Sequence, residues 1–132
     1  MDIKKYVDYF HDGAVYTIDH VGQEMVLSMG SAEMDEDDLV DDVILSKDDR
    51  ILGKLHIEGI KNIKVSDKPY LEVLTMKYEN AEIADFEIDS NNVKLLIRWG
   101  SYPPNPPVRD FYILKIEAEK VWWENIPDLN CS

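Results

Sequence analysis

The chain has 132 residues, 45% apolar and 10% aromatic, enough to bury one core and to read as a single domain, 1–132. Its 27 acids against 14 bases leave a net charge of −13, which argues against nucleic acid as a direct ligand, because phosphate contacts need clustered lysine and arginine. No apolar run reaches the ~18 residues of a membrane span.

Other exclusions follow from single features. The one cysteine, Cys131, has no partner for a disulfide within the chain. The N-terminus, MDIKKYVDYF, is amphipathic and lacks the apolar core of a secretory signal. Both features point to a reducing compartment, the cytoplasm.

In chain order, Ile3, Tyr6, Val7 and Phe10 fall at helical spacing behind Asp2 as a cap, which predicts a short helix over 2–10. The period then changes to two. Met25, Leu27 and Met29 alternate with Val26 and Ser28, and Ile51, Gly53, Leu55 and Ile57 with Leu52, Lys54, His56 and Glu58. Val93, Leu95, Ile97 and Trp99, then Leu114, Ile116 and Ala118, repeat the pattern. These are half-buried strands, and the turn signals VGQ (21–23), SDKP (66–69) and SNN (90–92) separate them. The expectation is a mainly β, antiparallel domain, either a β-sandwich or a strongly curled sheet.

The chain also resembles itself. Residues 12–31 laid over 80–99, an offset of 68, match Val15 with Ile83, Ile18 with Phe86 and Leu27 with Leu95. LHIEGIKNI (55–63) matches LKIEAEKVW (114–122) at an offset of 59. The reading is two similar three-strand units, 12–65 and 80–123. Apolar residues three apart cannot share one face of a flat strand, so a bulge is expected in both copies.

The link between the matched strands is nine residues longer in the first half, and it holds the acidic run EMDEDDLVDD (33–42). Residues 33–50 carry nine acids against Lys47 and Arg50. A segment that one half has and the other lacks is expected to serve binding, as a mobile loop anchored at Leu39 or Val40 whose shortening costs little stability. The run lacks the glycine of a helix-loop-helix calcium loop, since the sixth residue from Asp35 is Val40. The candidate binding residues are Asp35, Glu36, Asp37, Asp38, Asp41 and Asp42, joined by Trp99 and Tyr102 beside the PPNPP loop (103–107).

His11-Asp12-Gly13 invites a reading as a base with its orienting carboxylate, or as a metal-dependent or hydrolytic centre. The other histidines, His20 and His56, sit at a hairpin and on a polar strand face, so HDG reads as a corner entering the first strand. No phosphate loop, zinc spacing or nucleophile triad is present. No catalytic residue, metal or cofactor is expected. Trp122 and Trp123 are consecutive and must point to opposite faces, one to the core and one to a cover.

With its HDG corner, the strand GKLHIEGI and the late strand IEAEKVWW, the chain resembles small acidic β-rich bacterial proteins of uncharacterised families. Some similar families are immunity proteins of polymorphic toxin systems. The resemblance implies a bacterial, cytoplasmic, single-domain binding protein, and no catalytic residue is carried over. The expected partner is a basic protein, with no nucleic acid and no membrane, the chain itself being a monomer or weak homo-oligomer. The alternatives are an enzyme built on His11 and Asp12 and a structural or oligomeric module.

Overall fold

A computed structural model of the chain describes residues 1–39, 43–101 and 108–130. Nine strands follow one another: β1 (Ala14–Val21), β2 (Glu24–Gly30), β3 (Leu52–Glu58), β4 (Asn62–Val65), β5 (Lys68–Pro69), β6 (Asn80–Asp89), β7 (Asn92–Ser101), β8 (Val108–Glu117) and β9 (Lys120–Asn125). They form one antiparallel, open sheet in the order β5-β4-β8-β7-β6-β1-β2-β3-β9. The alternating sequences face as their period requires. Met25, Leu27, Met29, Leu55, Ile57, Val93, Leu95, Ile97, Leu114 and Ile116 all point into one core. Among the described residues, no helix is long and apolar enough to cross a membrane.

Both bulges are present. The β1–β2 register shifts between Val15 and Thr17, and the β6–β7 register between Ile83 and Asp85. The extra residue returns Ile18 and Phe86 to the buried face that Val15 and Ile83 already occupy. β1 and β6 themselves pair only over Ala14↔Glu82 and Val15↔Ala81, next to these bulges.

The sheet bends sharply around Phe10. Its ring makes edge contacts with Phe86 of β6 at 5.3 Å and with Trp123 of β9 at 5.6 Å. In a flat sheet those two strands would stand about 19 Å apart. Two short passes complete the bend. β3 crosses to β4 at Gly59, and β8 crosses to β9 at Ala118-Glu119. The passes are tied by hydrogen bonds from Lys61 N to Glu117 O (2.8 Å) and from Glu119 N to Glu58 O (3.1 Å). Gly59 has φ +65, and a Cβ there would lie 2.8 Å from the Glu119 side chain.

The expected N-terminal helix is instead two 3-10 turns, Ile3–Lys5 and Val7–Phe10. Asp2 caps as expected, accepting from Lys4 N at 3.1 Å. Tyr6, at φ −121, interrupts the helical path, and Ile3, Tyr6 and Phe10 all enter the core. A segment this short has little helical stability of its own, so tertiary packing decides its path.

Candidate functional site

The connection from β2 to β3 is built inward from two buried serines. Ser31 Oγ accepts from Ile51 N at 2.9 Å, and the Arg50 guanidinium donates to Ser31 O at 2.9 Å. Ser46 Oγ accepts from Asp48 N and Arg50 N, so the segment closes on itself. Met34 N donates to Asp49 O (2.9 Å) and Ala32 N to Tyr9 O (2.9 Å), fastening the acidic run to the domain. Met34 and Val43 are 8% and 9% exposed and belong to the core. The expectation that shortening this run costs little is therefore corrected: the run carries a core side chain. Leu39 packs against the core as expected, while Val40 lies outside the described residues.

On this base sits a 3-10 turn, Glu36–Asp38, capped by Asp35, whose carboxylate accepts from Asp37 N at 3.1 Å. Serine, asparagine and aspartate suit such caps because a short side chain reaches the free amides. The turn brings Asp35, Glu36, Asp37 and Asp38 together with Glu33 and Asp49 around one concavity of about 610 Å³, lined also by Tyr9 and Met34. A second concavity, about 480 Å³, adjoins it across Glu36 and Asp49 and is lined by Leu39, Val43, Ile44 and Leu45. Ile44 is 69% exposed. Carboxylates thus stand beside an accessible apolar strip, the pairing of charged rim and apolar anchor found at protein interfaces. Among the described residues, no group of three or more His, Cys, Asp or Glu side chains is placed to hold a metal ion.

The remaining expected site residues separate. Asp41, Asp42 and Tyr102 lie outside the described residues, as does the PPNPP loop. Trp99 points into the core, 1% exposed, in edge contact with Tyr112, and offers no surface to a partner. Its strand alternation with Ile97 and Leu95 already carried that signal. Its Nε1 finds no hydrogen-bond partner among the described residues.

His11 and Asp12 form a corner. His11 Nδ1 donates to Ala84 O at 2.6 Å, Asp12 N donates to Ile83 O at 2.9 Å, and Ile83 N donates to Gly13 O at 2.8 Å. The two side chains are exposed, with His11 Nε2 and Asp12 Oδ2 3.8 Å apart. The left-handed residue at this corner is Asp12, at φ 67. Gly13 is required for close approach, because a Cβ would fall 2.2 Å from Gly30 O.

Several contacts had no clear sequence signal. His20 Nδ1 accepts from Leu74 N at 2.8 Å, holding the 70–79 segment whose Leu74 is buried. Trp122 is covered by His56, whose ring stacks on it, and its Nε1 donates to Glu58. Lys77 pairs with Asp110. The hydrogen bond from Lys77 holds the Asp110 carboxyl below the usual carboxylate range, aided by Phe111 N, and the same bond raises Lys77.

Set against known proteins, the chain matches no family model, and neither curated proteins nor solved structures give a significant match.

Proposed function

We propose that the chain is a non-enzymatic acidic binding protein of the bacterial cytoplasm, neutralising a basic protein partner as an immunity protein does. The observation that carries this reading is the Asp35–Asp38 turn, held on a pinned base with its carboxylates around one concavity beside the apolar strip at Ile44. Charge of one sign around a concavity speeds encounter with a basic surface, and an adjoining apolar strip gives that encounter residence time. Asp41 and Asp42, outside the described residues, add two acids to the same run of the sequence, and neither a cofactor nor a metal enters the reading.

The same reading takes the scaffold as a sandwich of two related units, 12–65 and 80–123. It is supported by bulges at Tyr16 and Ala84, which match at the offset of 68, and by the reciprocal placement of β4 beside β8 and β9 beside β3.

The test is capture from a native bacterial cytoplasm by the full chain and by a charge-reversed variant, Asp35→Lys/Asp37→Lys/Asp38→Lys, with circular dichroism to check the fold. The reading expects a basic protein retained by the first and released by the second. Equal retention by both contradicts it.

A further inference from the structure

The strand order ends in β5 on one side and in β9 on the other, and the two edges differ. β5 is blunted, being only Lys68–Pro69, a charge followed by a residue without an amide hydrogen. β9 runs six residues, Lys120–Asn125, holds no proline, and pairs on one side only, with β3. A long edge strand of this kind is a template for a further strand.

The phase of the β3–β9 ladder tells which groups stand open. Ile126 N donates to Leu52 O at 2.8 Å, one position beyond the pair Gly53↔Asn125. By antiparallel alternation Lys120, Trp122 and Glu124 bond to β3, while Val121, Trp123 and Asn125 turn their backbone groups to the open edge. Among the described residues none of these edge amides finds a partner. Residues 1–4 flank the strand across a concavity of about 140 Å³ without bonding its backbone.

The outer face of β9 presents Lys120, Trp122 and Glu124, all exposed. His56 stacks on Trp122 from the β3 side, so the other face of the indole looks to the open edge. Lys120 Nζ lies 5.9 Å from the Trp122 ring and makes no ion pair among the described residues. Glu124 gives Oε1 to His56 and keeps Oε2 without a partner among the described residues.

We propose that β9 is an interface for a second copy of this chain, joined edge to edge and antiparallel, with Trp122 on the two-fold axis. In that register Lys120 faces the partner's Glu124, Glu124 faces the partner's Lys120, and Trp122 faces the partner's Trp122. Val121 and the partner's Trp123 exchange the open backbone bonds. The ladder phase allows a slide only in whole pairing steps. One step in either direction sets Lys120 opposite the partner's Trp122 or the partner's Ile126, and both ion pairs are lost. Charge complementarity thus selects a second copy as the occupant and one register for it. The inference does not rest on the acidic-face reading.

The full chain alone is the sample, at physiological ionic strength, where the mutual repulsion of two chains of net charge −13 is largely screened. Two six-residue strands make an interface below the standard size, so sedimentation equilibrium should give a monomer–dimer Kd of about 10 µM to about 1 mM. Concentration-dependent NMR shifts should centre on the Trp122 indole and the amides of Val121 and Trp123. Val121→Pro removes an edge donor at a position where proline is tolerated, and should abolish the dimer while circular dichroism shows the fold retained. Lys120→Glu and Glu124→Lys should each weaken the dimer at least tenfold, and Lys120→Glu/Glu124→Lys should bring it back to within about threefold of the parent, because the swapped charges again face each other. A chain that stays monomeric at millimolar concentration, a dimer indifferent to Val121→Pro, or a double reversal no stronger than the single ones would each overturn the proposal.

Discussion

His56 lies flat on Trp122, with ring centroids 4.0 Å apart and planes 7° apart, and its Nε2 donates to Glu124 Oε1 at 2.8 Å. The two residues face each other directly across the β3–β9 ladder. Trp122 is 38% exposed, and this stack covers much of what its neighbour Trp123 hides by turning inward. Removing the ring by His56→Ala should cost about 1 kcal/mol, the usual worth of an aromatic pair. It should also shift the tryptophan emission to longer wavelength as Trp122 becomes wetter. Unchanged emission with unchanged stability would show that the stack contributes nothing.

The acidic run tests how far the β2–β3 connection belongs to the fold. Replacing residues 33–42 by a Gly/Ser link removes buried Met34 and should cost roughly 2–4 kcal/mol, as deletion of a core methionine does. Replacing only Asp35, Glu36, Asp37 and Asp38 by serine, all of them exposed, should stay within about 0.5 kcal/mol. Urea unfolding of the two variants checks both values. Equal costs would contradict the division between pinned base and exposed turn.

Gly13→Ala should be among the most damaging single-methyl additions in the chain. The new Cβ meets the backbone carbonyl of Gly30, which has no rotamer by which to retreat. Overpacking of this kind costs about 1–3 kcal/mol. A thermal melt within experimental error of the parent would show that the corner between the 3-10 turn and β1 yields more readily than its geometry implies.

The pair Lys77–Asp110 gives a pH dependence with a defined sign. The carboxyl is lowered, so its share of stability is present above the ordinary carboxylate range and is lost as pH falls through the lowered value. The ammonium is raised, so its share is present below the ordinary lysine range and is lost as pH rises through the raised value. Neutral pH lies inside both windows. Carbon-detected NMR titration of Asp110 should show a midpoint below that of an ordinary aspartate, and Lys77→Met should move it upward. A midpoint that ignores the substitution would remove the pair as the cause.

The strand faces were legible because period two is a local property. Met25, Leu27 and Met29, or Val93, Leu95 and Ile97, need no partner to declare their buried side. The bulges were legible for the same reason, from Val15 and Ile18 and from Ile83 and Phe86. Strand order was not, because the partners of β4 and β9 depend on Gly59 and Glu119 meeting at a bend far apart in sequence. The N-terminal turns were misread because helical spacing and the spacing of two successive 3-10 turns both place Ile3, Tyr6 and Phe10 on one side. Of the candidate site, the acids Asp35 to Asp38 were visible as composition, whereas their capping turn and the neighbouring Ile44 strip were not. Trp99 was assigned to the surface against its own alternation, and the core claims it.

The most direct test of the acidic face is the association rate with the captured basic partner, measured across ionic strength. The account predicts a rate that falls at least tenfold from low to physiological salt and above, with dissociation little changed, as electrostatic steering requires. It predicts further that Asp35→Lys/Asp37→Lys/Asp38→Lys abolishes that salt dependence along with the fast encounter. A rate indifferent to both salt and charge reversal would contradict the account.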